Sequence, residues 1–140
     1  MNIALIAHDN KKELMIEFCT AYKGVLEKHT LCGTGTTARL VAEAAGLPIH
    51  QFFAGAQGGY QQIGARIAYN EIDMVLFFRD PLLQHKTDEV DILSILKLCD
   101  THNVPIATNI ATAEVLVLGL SRGDMDWRDI AREKGTFNEV

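Results

Sequence analysis

The sequence predicts a single α/β domain in which a five-stranded parallel sheet lies between two layers of helices. Short apolar runs alternate along the chain with stretches whose apolar residues recur at helical spacing. No composition shift, repeat or low-complexity linker interrupts this series. The chain has 140 residues and is 48% hydrophobic and 22% charged, a balance typical of a globular domain that buries a core. We expect one domain over residues 1–140, with a C-terminal tail over 122–140.

Five apolar runs are the predicted strands. The first is Ile3–Ala7. The fourth, Asp73–Phe78, is the clearest, because an uninterrupted apolar run is typical of a central parallel strand covered on both faces. Thr30–Gly33, Ile49–Phe53 and Val104–Ala107 complete the sheet. Right-handed crossovers between such strands place helices on both faces of the sheet.

Helical periodicity follows each predicted strand. Apolar residues at positions 14, 15, 18, 21, 22, 25 and 26 form one face of a first helix. Further helices are predicted at about 36–45, 59–70, 89–102 and 112–120. The tail surrounds Trp127 and Ile130 with charged residues, which predicts a short amphipathic helix and then a fraying end. We expect this helix to pack on the domain's own surface; contact with another subunit is the alternative.

Composition excludes several classes of function. The net charge of −5 argues against a general binder of nucleic acid or anionic membranes, since both need a basic face. The N-terminal apolar run lacks the basic lead of a signal peptide, and no run approaches the roughly 18 residues of a membrane span. Cys19, Cys32 and Cys99 form no CxxC pair, and the histidines have no metal-ligand spacing. We therefore expect a cytoplasmic protein without a metal or cofactor.

Polar residues follow the predicted strands at the sheet edge where open α/β sheets bind ligands. The turn Gly33–Thr37 is the most specific, because its glycines let backbone N–H groups approach an anion and its three hydroxyls can donate at a helix N-terminus. The alternative is an N-cap turn without a ligand. Lys12 is either a cation for the same anion or a solvated surface lysine. His8, Asp9 and Asp80 end the first and fourth strands, so the sequence predicts a crevice for a small phosphorylated ligand.

Five motifs resemble those of the methylglyoxal synthases, in order along residues 2–120. They are Ala7–Lys12, Gly33–Thr37, Gly58–Gly64, Phe78–Leu82 and Pro105–Asn109. The resemblance implies a flavodoxin-like three-layer α/β/α sandwich and a homo-oligomer, usually a hexamer. It also implies a lyase that eliminates phosphate from dihydroxyacetone phosphate, without a metal or organic cofactor, to give methylglyoxal.

The resemblance also implies roles for individual residues. The substrate and its phosphate would be bound by His8, Lys12, Thr34, Gly35, Thr36, Thr37, Ala54 and Gly55. Carboxylates around the reacting carbons would come from Asp9, Asp80 and Asp91. In this family an aspartate removes a proton beside the carbonyl, and a histidine polarises the oxygens of the enediolate before phosphate leaves.

Three positions depart from the family's pattern. Tyr60 stands where the family has its general base, Asp88 stands where it has a histidine, and Ala54 replaces a hydroxyl donor in the phosphate turn. A phenol with a pKa of about 10 is a poor base at neutral pH. One hypothesis is a lyase of impaired or altered activity, with Asp9, Asp80 or Asp88 taking the proton. The other is a catalytically silent or regulatory module that binds a small phosphorylated molecule or inorganic phosphate.

Overall fold

The five strands form one parallel sheet. The computed structural model describes residues 1–83 and 86–135, except for the side chains of residues 86–91. The strand order is β3-β2-β1-β4-β5, and every pairing is parallel, which confirms the predicted sheet. The strands are β1 (Asn2–Ala7), β2 (Thr30–Gly33), β3 (Ile49–Gln51), β4 (Met74–Phe78) and β5 (Ile106–Ala107). The direction of winding reverses between β1 and β4, so this sheet edge is where a ligand crevice is expected.

Helices follow the strands as predicted, except at the first crossover. They are α1 (Lys12–Ala21), α2 (Lys23–Leu26), α3 (Gly35–Ala45), α4 (Gly59–Ala68), α5 (Lys86–His102), α6 (Ile110–Arg122) and α7 (Asp126–Glu133). The prediction of one continuous first helix was wrong. Tyr22, with φ −103° and ψ 18°, lies outside the helical region, and the poor helix former Gly24 follows it. The apolar face is therefore divided between α1 and α2.

The sheet separates two hydrophobic clusters, because alternate residues of a strand face opposite sides. From β1, Ile3 and Leu5 join one cluster, to which α1, α3 and α6 contribute residues. Ala4 and Ile6 join the other, with residues of α4 and α5. These three layers are the predicted α/β/α sandwich. Among the helices in the described ranges, none has both the length and the hydropathy of a membrane span.

Helix α7 confirms the helix predicted around Trp127 and Ile130, but these two side chains do not anchor it. They are 41% and 51% exposed. The buried side chains of α7 are Ala131 and Arg128, and the accessible surface of Arg128 is 0%. Its Nε donates to Asp73 Oδ1 at 3.1 Å, and its Nη1 donates to the Asn103 carbonyl at 2.7 Å. An ion pair thus holds the tail helix against the domain.

The carboxylate of Asp73 is fully buried at the start of β4. Its Oδ2 accepts from the Asn2 amide at 2.8 Å, and its Oδ1 accepts from both Arg128 and Arg132. Burial raises the pKa of Asp73, but these hydrogen bonds and the charge of Arg132 outweigh it and hold the pKa below its ordinary value. The cluster ties α7 to the amino edge of the sheet, opposite the crevice.

Candidate active site

A cavity of about 400 Å³ opens at the carboxyl edge of the sheet, beside the ends of β1 and β4. It brings together ten of the predicted site residues: His8, Asp9, Lys12, Thr34, Thr36, Thr37, Ala54, Gly55, Tyr60 and Asp80. Asp88 and Asp91 belong to α5, but the structure does not describe their side chains. Asn10, Ala56 and Leu83 also line the cavity, although the sequence pattern does not single them out as site residues.

The N-terminus of α3 forms one wall of the cavity. Thr36 is exposed, and its N–H group and that of Thr37 belong to the first helical turn, which precedes the helix's own hydrogen bonding. The macrodipole adds partial positive charge at this end. Thr34 and Thr37 are buried, and the Thr37 hydroxyl donates to the Ala7 carbonyl at 3.4 Å. This wall can hold an anion through backbone amides and the Thr36 hydroxyl.

Gly35 has a different position from the one that the resemblance implies. It is buried and does not line the cavity, and its N–H donates to the Phe53 carbonyl at 3.0 Å. A Cβ there would lie 3.0 Å from the Phe52 carbonyl oxygen and 3.1 Å from the Ala54 nitrogen. Gly35 is therefore needed for the close approach of residues 52–54 to α3, and its amide is used for a hydrogen bond within the fold.

Lys12 places a cation at the cavity. Its Nζ donates to Asp9 Oδ1 at 2.8 Å and to the Ala7 carbonyl at 2.9 Å. The hydrogen bond from Lys12 and then its charge hold the pKa of Asp9 below the ordinary value. The Asp9 side chain is 98% exposed. Because the carboxylate of this pair lies in water, solvent screens its attraction to Lys12, and a phosphate can compete with Asp9 for the ammonium group.

His8 is buried at the end of β1 with a defined tautomer. The backbone N–H of Asp80 donates to its Nδ1 at 2.8 Å. Because Nδ1 accepts, the ring proton of the neutral imidazole is on Nε2. Nε2 is itself buried in the wall of the cavity, so this N–H group can polarise a ligand's carbonyl oxygen only if the ligand is held against that wall.

Asp80 is held rigidly at the end of β4. Its Oδ1 accepts from the Leu82 amide at 2.9 Å, and its Oδ2 accepts from Asn10 Nδ2 at 2.9 Å. The hydrogen bond from the Leu82 amide, and then that from Asn10, keep the pKa of Asp80 below the ordinary value. Asp80 is therefore the turn cap that its position before a proline indicates. Asp9 and Asp80 are the carboxylates that line the cavity among the described residues, and neither has the raised pKa of a strong base.

Tyr60, near the start of α4, also forms part of the cavity wall. It is 8% exposed, and its ring stacks on Phe77 with centroids 5.8 Å apart and an angle of 11° between the planes. Its far end lies against Gly55, where an added Cβ would be 2.5 Å from Cζ and 2.9 Å from the hydroxyl oxygen. An aromatic ring thus occupies this side of the cavity. Within the described residues, no group of three or more His, Cys, Asp or Glu side chains is placed to hold a metal ion.

Comparisons with known proteins agree on one family. The family model for the MGS-like domain matches residues 14–108. The methylglyoxal synthase of Caldicellulosiruptor saccharolyticus is 60% identical over 134 residues, which cover 96% of this chain and 94% of that protein. That of Oceanobacillus iheyensis is 56% identical over 134 residues, covering 96% and 95% of the two chains. The crystal structure of methylglyoxal synthase from Elizabethkingia anophelis superimposes with a TM-score of 0.74 at 36% identity, covering 83% of this chain and 76% of that one.

Proposed function

The chain belongs to the methylglyoxal synthase family and has its flavodoxin-like fold, and we propose that it is a lyase that converts dihydroxyacetone phosphate to methylglyoxal and phosphate, slowly because of Tyr60. The observation that carries this proposal is the cavity itself. Thr36 and Lys12, which form what we call the anion wall, line the same cavity as the buried imidazole of His8. A triose phosphate carries a phosphate and a carbonyl group a few bonds apart, so the anion wall would bind the phosphate and His8 would donate to the carbonyl oxygen.

The phosphate would bind at the N-terminus of α3. First-turn amides, the Thr36 hydroxyl and Lys12 would hold it, and Lys12 would exchange Asp9 for the phosphate. Such charge-assisted hydrogen bonds are roughly twice as strong as neutral ones. Binding the phosphate there also stabilises it as a leaving group.

The imidazole of His8 would act on the carbonyl oxygen. A base removes a proton from the hydroxymethyl carbon, and negative charge develops on that oxygen, where the Nε2–H group donates. The hydroxyl of the deprotonated carbon then gives up its proton as that carbon becomes the aldehyde, the double bond shifts toward the phosphate-bearing carbon, and the C–O bond to phosphate breaks. The enol that remains gains a proton on its methylene carbon and loses its hydroxyl proton, which gives methylglyoxal.

We propose Asp9 as the residual base. Both oxygens of Asp80 accept hydrogen bonds from fixed donors, whereas Asp9 has Lys12 as its partner and loses it when phosphate binds there. A carboxylate with an ordinary or low pKa is a weak base, and loss of a well-placed base typically lowers a rate about 10²- to 10⁴-fold. The expected enzyme is therefore slow.

One observation favours a second candidate function, a silent phosphate-binding or regulatory module. Tyr60 fills the wall where the family has its base, while the anion wall is retained. The two functions differ in turnover. Purified protein should release methylglyoxal and inorganic phosphate from dihydroxyacetone phosphate in equal amounts, and Asp9→Asn should slow both. Phosphate binding without release of either product would contradict the lyase and favour the phosphate-binding module.

We also propose that the protein is a homo-oligomer, hexameric by its resemblance, that acts in the cytoplasm on a small phosphorylated molecule and binds neither nucleic acid nor membranes. Val115 and Leu118 on α6 are 65% and 46% exposed, which supports a face for protein contact. The net charge of −5 opposes polyanionic partners. Light scattering coupled to gel filtration measures the assembly; a monomer at micromolar concentration would contradict it.

A further inference from the structure

We propose that Asn10 is a positioning residue for His8, and that it acts through Asp80. Its side-chain amide holds the segment after β4 in the place where the backbone N–H of Asp80 fixes the imidazole. This inference rests on the proposed function, in which His8 donates to the substrate's carbonyl oxygen. It gives a role in the reaction to a cavity residue that the sequence pattern does not single out.

The backbone pairing of β1 with β4 ends just before the cavity. Its last residue pair is Ala7 with Phe78, and the His8 N–H then donates to the Phe78 carbonyl at 3.1 Å. Beyond this point side chains continue the connection. The Asp80 N–H donates to His8 Nδ1 at 2.8 Å, and Asn10 Nδ2 donates to Asp80 Oδ2 at 2.9 Å. Asp80 thus takes part in both hydrogen bonds, one through its backbone and one through its carboxylate.

Both partners of the Asn10 hydrogen bond belong to tight turns. Asn10 is the middle residue of a single 3₁₀ turn that directly follows His8. Asp80 begins a turn in which its Oδ1 accepts from the Leu82 amide at 2.9 Å and its carbonyl accepts from the Leu83 amide at 3.2 Å. Because these hydrogen bonds tie the Asp80 carboxylate to its own turn, loss of the Asn10 contact frees the backbone of that turn as well as the carboxylate.

The imidazole of His8 depends on this arrangement for its tautomer. A neutral imidazole carries one proton, so the nitrogen that accepts a hydrogen bond leaves the proton on the other nitrogen. The Asp80 amide therefore keeps the proton on Nε2, while the ring lies edge-on to Phe77 with centroids 5.3 Å apart and an angle of 77° between the planes. When the Asp80 amide moves away, the proton can occupy Nδ1 instead, and Nε2 then presents a lone pair to the substrate's carbonyl oxygen. Loss of the Asn10 side chain should accordingly slow the reaction and leave phosphate binding intact.

Asn2 offers a matched control at the other end of β1. Its Nδ2 donates to the Glu71 carbonyl at 2.8 Å and joins positions 69 apart, as Asn10 Nδ2 joins positions 70 apart. Both hydrogen bonds are exposed to solvent. The backbone N–H of Asn2, which donates to Asp73, is retained when the side chain is shortened to alanine. Asn2→Ala thus removes the same kind of hydrogen bond without touching the cavity.

The experiment compares the His8 imidazole by heteronuclear NMR of the full chain with nitrogen-labelled histidine, at a pH at which the ring is neutral. The His8 signals are identified by their loss in His8→Gln. We expect one tautomer, protonated at Nε2, in the wild type and in Asn2→Ala, and a measurable fraction protonated at Nδ1 in Asn10→Ala. Asn10→Asp retains the shape of the side chain but replaces the donor by a carboxylate that repels Asp80, so it should shift the tautomer at least as far.

The same proteins are assayed for turnover and for phosphate binding. The kcat for release of methylglyoxal should fall about 10-fold or more in Asn10→Ala, because a small displacement of a reacting group is costly, and stay unchanged in Asn2→Ala. The dissociation constant of inorganic phosphate, measured by titration calorimetry, should be unchanged in both variants, since Thr36 and Lys12 remain in place. Melting temperatures confirm that each variant is folded.

The outcomes separate this inference from the function on which it rests. A His8 spectrum in Asn10→Ala or in Asn10→Asp that is identical to that of the wild type would overturn the inference. Weaker phosphate binding by Asn10→Ala with an unchanged His8 spectrum would make Asn10 a contact of the anion and would also overturn it. If the wild type releases no methylglyoxal, the proposed function fails, and the comparison of the His8 tautomers still decides whether Asn10 positions the ring.

Discussion

Removal of the Asp73 carboxylate should lower the free energy of unfolding by more than a substitution at an exposed position of α7. In Asp73→Ala the guanidinium of Arg128 stays buried, with an accessible surface of 0%, but loses its counter-charge. The Asn2 amide and Arg132 lose the same acceptor. The chain must then bury an uncompensated cation or release α7 from the domain.

The expected magnitude follows from that burial. Breaking a buried ion pair by removing one partner costs about 3–5 kcal/mol of unfolding free energy. At about 2–4 °C per kcal/mol for a domain of roughly this size, the melting temperature should fall by about 10 °C. Urea unfolding followed by circular dichroism measures the free energy, and calorimetry measures the melting temperature.

Asp129→Ala is the matched control. Asp129 is another α7 contact to Arg132, three residues apart at 3.2 Å, but its side chain is 53% exposed. Exposed pairs contribute about 0–1 kcal/mol, so this variant should lose at most about 1 kcal/mol. Equal, small losses in both variants would refute the view that the Asp73 cluster anchors α7. Phosphate affinity should be unchanged in both, because the cluster lies at the opposite edge of the sheet from the cavity.

Two further predictions concern acid stability and the turn beneath Tyr60. Because the folded pKa of Asp73 is lowered, its stabilisation is complete above the unfolded carboxyl's pKa of about 4 and is lost as the pH falls through the folded pKa. Below about pH 4, the unfolding free energy measured with urea should therefore fall less steeply with decreasing pH in Asp73→Ala than in the wild type. Equal slopes in the two proteins would contradict this. Gly55→Ala would place a Cβ 2.5 Å from Tyr60 Cζ, and should lower the unfolding free energy by about 1–3 kcal/mol. An unchanged melting temperature would show that the ring is free to move.

The sheet and most helices could be predicted from the sequence because their signal is local. An apolar run such as Met74–Phe78 and the periodicity of α3 are each visible within about ten residues. The break at Tyr22 was missed because apolar spacing continues across it, although the backbone does not. The fifth strand was predicted as Val104–Ala107, but β5 is only Ile106–Ala107. The prediction was too long because an apolar residue next to a strand need not pair with the sheet.

The site was predictable where it depends on strand ends and less so where it depends on contacts across the chain. His8, Asp9 and Asp80 converge because parallel strands end at one edge. The Asn10 hydrogen bond to Asp80 joins residues 70 positions apart, and the Asp73–Arg128 pair joins residues 55 positions apart. Nothing in the neighbouring sequence of these residues identifies their hydrogen-bond partners. For Asn10, the sequence shows only that it belongs to the polar residues that follow β1.

The measurement that tests the proposed function most directly is the rate of methylglyoxal formation from dihydroxyacetone phosphate by the wild type and by Tyr60→Asp. A carboxylate at position 60 restores the family's base, and a well-placed base is typically worth about 10²- to 10⁴-fold. We predict slow but measurable release by the wild type and a kcat at least about 10-fold higher in Tyr60→Asp, with both proteins folded at the assay temperature. A wild type as fast as or faster than the variant would contradict the proposal that Tyr60 limits this enzyme. No release by either protein would contradict the lyase.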